Sequence, residues 1–154
     1  MKLAEALLER ADLQKRVESL QARIVANASY QEGEQPTEDA SELLEECATR
    51  LLQLERLVTS INITNATAPT EDGRTITALL AARETLRTQH SILVRAADAA
   101  AGSWGQRQMR SELRQMSALP VRDVRAKADG VAQALRELDV IIQRTNWEVE
   151  LLEA

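Results

Sequence analysis

The sequence predicts a mainly α protein, an antiparallel bundle of about four long helices with coiled-coil-like seams. Three observations carry this. Hydrophobic residues make up 44% of the 154, yet only 2% are aromatic and Phe is absent. The core must therefore come from Leu, Ala, Val and Ile, a palette that leans away from an all-β fold. Apolar residues recur in steps of three and four along four long stretches, the period of one helix face. Gly, Pro, Asn and Asp gather between those stretches, where they break helices. At this length a single helical domain, 1–154, is expected.

The first helix spans about 2–28, with the seam Leu3, Ala6, Arg10, Leu13, Val17, Leu20 and Ile24. Arg10 is the one interruption of that a/d pattern. Gly33 and Pro36 then open a loop with no apolar residue from Gln31 to Asp39. The second helix spans about 38–63, with Thr37 or Ser41 as candidate caps and an acidic first turn. Its seam reads Leu44, Cys47, Leu51, Leu54, Val58 and Ile61. On it Cys47 reads as a small buried hydrophobe, because Glu45 and Glu46 oppose thiolate formation.

Asn65, Pro69 and the pair Asp72-Gly73 mark the next loop, with a turn at Asp72-Gly73 and Thr75 placed to cap the third helix. That helix spans about 75–101, with the seam Ile76, Leu79, Arg83, Leu86, His90, Leu93 and Ala97, and Gly102 and Gly105 end it. The stretch 102–120 is too long for a plain loop. Met109, Leu113 and Met116 fit a helical face, while a short extended or β segment is the alternative. The fourth helix spans about 121–153, opening after Pro120 on the seam Val121, Val124, Ala128, Val131, Leu135, Leu138, Ile142, Thr145, Val149 and Leu152. Gly130 within it implies close packing on a neighbour. Narrow seams on rods of roughly 40–48 Å bury little singly, so association between chains is expected as well.

Leu57–Asn65 and Leu138–Asn146 align without gaps, with Leu, Ile, Thr and Asn coinciding at 81 residues' separation. Either the chain holds two related hairpins, or Leu/Ile-rich helices agree by chance. If the hairpins are related, both Thr-Asn pairs share one end of the bundle. That polar pole gathers Thr64, Asn65, Asp72, Thr75, Thr145, Asn146 and Trp147. Asn and Thr at helix ends mostly satisfy orphan backbone groups. The sharper alternative is a small-ligand pocket walled by Trp147, or a metal-dependent activity there. At the other pole Gln31–Thr49 carries seven acids and no base. Glu32 and Glu34 face, in charge, the basic run that includes Arg107, Arg110 and Arg114, and such complementarity sets partner choice more than stability. Glu32, Glu34, Glu38 and Asp39 are weak metal candidates, because no Ca²⁺-loop spacing is present.

Composition removes several functions. With 24 acids against 19 bases the net charge is −5, which argues against binding nucleic-acid phosphates. One Cys and one His cannot close a zinc site, and a lone Cys fits the cytoplasm. No apolar run approaches bilayer length, and no secretory leader is evident. His90 on an apolar face reads as a hydrogen-bonded core residue. No catalytic constellation emerges and no cofactor is expected, so the expectation leans away from an enzyme.

Several motifs nevertheless occur in a characteristic order. They are MKLAEALLERADLQKRVESLQARI at the start, Asn27 with QEGE-x-P-x-ED over Gln31–Asp39, TNA-x-T and EDGRT-x-T over Thr64–Thr77, Arg83, and LD-x-x-IQ-x-TNW over Leu138–Trp147. Across essentially the whole chain this order resembles a bacterial family of small all-helical proteins, a domain of unknown function whose members are often labelled septicolysin. The resemblance implies an all-helical fold, and the label implies membrane attack. It also implies an extended segment before the last helix, which Glu112–Leu119 matches loosely. From the residues themselves the leading expectation is a self-associating interaction or scaffold protein, a homo-oligomer.

Overall fold

The computed structural model describes residues 1–102 and 115–153, and it holds four helices: α1 (Leu3–Asn27), α2 (Ala40–Thr67), α3 (Ile76–Ala100) and α4 (Val121–Glu148). The protein is mainly α. Its only β pairing among the described residues consists of two isolated antiparallel bridges, Lys2 with Glu150 and Pro69 with Thr75. The extended or helical segment expected around Met109 and Leu113 lies outside the described residues, and residues 115–120 form neither helix nor strand.

Contacts divide the chain into two compact units, Met1–Ile76 with the chain from Thr145 onward, and Thr77–Arg144. In the first, α1 packs on α2. The seam of α1 buries Leu3, Ala6, Leu13 and Leu20, with Val17 and Ile24 half-buried. Glu5 begins the helix by accepting the amide of Lys2 at 2.7 Å, which satisfies one orphan donor. In the second unit Leu79 of α3 packs with Leu138 and Ile142 of α4, flanked by Leu80, Leu86 and Ile141. Arg83 reaches Asp139 at 3.6 Å. Gly102, at φ 82°, turns the chain out of α3, the left-handed position at which Gly costs least.

Four local expectations change. The cap of α2 is Asp39, whose Oδ1 accepts the amides of Ser41 (2.7 Å) and Glu42 (3.4 Å); neither Thr37 nor Ser41 takes that role. The seam of α2 holds at Ile61, which is buried, and at Leu54 and Val58, which are half-buried, but it buries Leu43 while Leu44 is 56% and Leu51 48% exposed. Cys47 is half-buried rather than buried. Gly130 meets nothing within 4 Å of an added Cβ, so close packing does not explain it.

α4 also stops at Glu148 rather than continuing to about 153. The reason is competition for backbone partners. The Val149 carbonyl accepts from Leu3 N, and Leu151 N donates to the Met1 carbonyl, both at 2.9 Å. The tail thus exchanges helical bonds for pairing with the start of the chain.

These endings make the two hairpins repeats of one pattern. α2 ends three residues after Thr64, and α4 ends three after Thr145. Ala68 N donates to Thr64 O at 2.8 Å, as Val149 N does to Thr145 O at 2.9 Å. The second residue beyond each helix, Pro69 or Glu150, bridges the residue just before the next or first helix, Thr75 or Lys2. Arg10 in α1 and Arg83 in α3 even share a feature, a buried Nε without a hydrogen-bond partner.

Candidate functional site: a polar pole closed by the C-terminal tail

Thr64 sits on α2 with no solvent exposure. Its hydroxyl donates to Ser60 O at 2.8 Å and accepts the amide of Leu152 at 2.9 Å. One side chain thereby bonds back onto α2 and anchors the tail leaving α4. Lys2 holds the same tail from the other side, its Nζ lying 2.9 Å from Glu148 O and 2.7 Å from Glu150 Oε1. The Met1 amino group adds a contact to Glu150 at 3.2 Å. Lys2 first, and then that amino group, hold the Glu150 carboxyl below its ordinary range.

Asp72 organises the turn between α2 and α3. Its Oδ2 accepts Arg74 Nε at 2.7 Å, and its Oδ1 accepts Arg74 N at 3.1 Å and lies 2.6 Å from Thr70 Oγ1. Those three donors, the Arg74 side chain foremost, hold its carboxyl far below the usual range. Gly73, at φ 78°, permits the turn, and Thr70 N closes it on Arg74 O at 2.8 Å.

The structure thus brings Thr64, Asp72, Thr75 and the Thr145-Asn146 pair into the first unit, but it employs Thr64 and Asp72 within the chain. Thr145 and Asn146 are buried, Asn65 is half-buried, and Trp147 is 55% exposed. At the acidic loop Glu38 is likewise engaged. Arg23 Nε donates to both its oxygens at 3.0 and 3.1 Å, and its amide donates to Asn27 Oδ1 at 3.0 Å. Arg23 keeps the Glu38 carboxyl below its ordinary range. With Asp39 serving as a cap, Glu32 and Glu34 are left exposed. Among the described residues no group of three or more His, Cys, Asp or Glu could hold a metal ion. Arg107, Arg110 and Arg114 lie outside the described residues.

Two features were not singled out from the sequence. The first is an open groove in the first unit, where Arg16, Arg50 and Arg56 stand around Leu13 and Leu57. Arg16 is paired with Asp12 at 2.9 Å, and Arg50 lies 3.1 Å from Gln53. The second is a free apolar face on α2, formed by Leu44, Leu51 and Leu52 at 48–57% exposure. Its signal was present in the doublet Leu43-Leu44, since adjacent helical residues point roughly 100° apart and a narrow buried seam holds only one of them.

These features define an all-α protein of four helices whose two hairpins end in similar backbone patterns. The chain belongs to the family of unknown function DUF6847, whose sequence profile matches residues 10–151. It is similar to a crystal structure of a functionally unknown conserved protein from Corynebacterium diphtheriae, at 36% identity over 99% of both chains with a TM-score of 0.90. No curated protein matches it. Among the described residues no helix is long and apolar enough to cross a membrane.

Proposed function

We propose that the protein is a self-associating interaction or scaffold module of the cytoplasm, not an enzyme. The observation that carries this reading is the free face of α2, where three leucines remain about half exposed on a helix whose opposite side is already packed. Contiguous exposed apolar surface on a small chain marks an interaction site. A lone half-buried thiol fits a reducing compartment. In this reading the two units fold as one domain and melt in a single transition. Light scattering on a sizing column at micromolar concentration tests self-association: a multiple of the chain mass is expected, and a monomer contradicts it.

The polar pole supports a ligand-binding reading less well, because Thr64 and Asp72 already have partners within the chain. Membrane lysis, implied by the septicolysin label, has no apolar spanning helix among the described residues to support it. Dye retained in vesicles at micromolar protein is the expected outcome, and leakage contradicts the scaffold reading.

A further inference from the structure

We infer that α2 is a two-fold interface, on which a second copy of this chain lies antiparallel with the leucines at its centre. This deepens the self-association reading and rests on it. The stripe runs Leu44, Ala48, Leu51, Leu52, Glu55 and Thr59, all exposed, and Glu55 is its one charge. Successive members are three, four or one residue apart, so they share a face roughly 100° wide, turned away from the side that buries Leu43 and Ile61.

The repeat supplies an internal comparison. α4 matches α2 at a separation of 81 residues, and its counterparts of Leu44, Leu51 and Leu52 are Arg125, Ala132 and Gln133. The same position in the hairpin therefore does not require leucine for folding. At these three positions leucine belongs to α2 and not to α4, where Arg125 and Gln133 are exposed and Ala132 is half-buried, and the difference calls for a separate cause.

Charge selects the occupant and its direction. One edge of the stripe carries Glu45 and Arg56, both exposed and roughly 16 Å apart along the axis. In an antiparallel pair the two-fold axis falls between Leu51 and Leu52. Leu51 then meets Leu52 of the second copy, Ala48 meets its Glu55, and Leu44 meets its Thr59. The like edges of the two stripes adjoin, so each Glu45 lies within a turn of the other copy's Arg56. A parallel pair sets that edge against the opposite one, where Cys47 and Leu54 stand, and leaves both charges unpaired. Self-complementarity of this kind is the requirement of an isologous dimer, and edge charges set register and orientation.

Sedimentation equilibrium on the wild type, Glu45→Arg, Arg56→Glu and the double exchange tests the arrangement, with circular dichroism confirming unchanged helicity at these exposed sites. Each single exchange places two like-charge contacts in the dimer and should weaken it about tenfold. The double exchange should recover wild-type affinity to within about threefold. A Leu51→Cys variant in a Cys47→Ser background should oxidise to a covalent dimer, because position 51 lies beside the axis. A wild type that dimerises while both single exchanges leave its affinity unchanged overturns this arrangement and leaves self-association standing. Failure of Leu51→Cys to cross-link within a dimer also overturns it. A wild type that stays monomeric at micromolar concentration removes the underlying reading itself.

Discussion

Replacing Thr64 by Val probes how the tail is fastened. The side chains are nearly isosteric, and the site has no solvent exposure, so the change removes a hydroxyl while keeping the volume. Two hydrogen bonds go, to Ser60 O and from Leu152 N. Each contributes about 0.5–1.5 kcal/mol net. Ser60 O lies within α2, and Leu152 is exposed enough for water to replace part of its loss. The expected cost is therefore about 1–2 kcal/mol, or roughly 2–8 °C in Tm for a domain of this size. Thr67→Val is the control, because its hydroxyl makes the same bond back to Ile63 O at 2.7 Å on an exposed surface without holding the tail. Thermal denaturation of both variants is read with hydrogen exchange at the Leu152 amide. Equal melting of the two variants, or an unchanged exchange rate at Leu152, would refute the anchoring role of Thr64.

Further outcomes follow from other contacts. Gly130→Ala should stabilise the protein by about 0.5–1 kcal/mol in denaturant titration, since the added methyl enters open space in a helix interior. Arg10→Met should raise Tm, because it removes a buried Nε without a partner, a deficit of about 1–3 kcal/mol; a lowered Tm would show that the guanidinium has a stabilising role. The carboxyls of Asp72, Glu38 and Glu150 are all depressed in the folded chain. Their stabilisation is complete above the ordinary carboxylate range and is lost as pH falls through the lowered folded values. Stability should thus be flat from about pH 6 to 8 and fall below about pH 4, and the double variant Asp72→Asn/Glu150→Gln should be less stable at neutral pH with a shallower acid limb in urea titrations across pH.

Much of the fold was legible because three helices present one unambiguous stripe. In α1, α3 and α4 the predicted seams contain most of the residues that are buried, among them Leu3, Leu13, Leu79, Ala97, Val124 and Leu138, with Ala4 and Asn146 buried beside them. In α2 the seam holds toward Ile61 but is misplaced at Leu44 and Leu51, because a period of three and four can be threaded through Leu43 or Leu44 alike. The tail was read as helix because Val149 and Leu152 continue the stripe of α4, while the groups that divert it, Met1, Lys2, Leu3 and Thr64, lie far away in sequence. Of the polar pole, the Thr-Asn echo was visible, but its role was not. Whether a hydroxyl holds backbone or awaits a ligand depends on what the fold brings to it.

In the proposed dimer the free face of α2 joins two copies of the chain. Sedimentation equilibrium of the wild type beside Leu51→Glu tests it most directly. Leu51 is about half exposed, so the variant should keep its helicity. Carboxylates placed against each other near the axis should raise Kd by more than about tenfold. A wild-type dimer and a monomeric, folded Leu51→Glu are the predicted pair of results. A wild-type monomer, or a Leu51→Glu dimer of undiminished affinity, would contradict the claim.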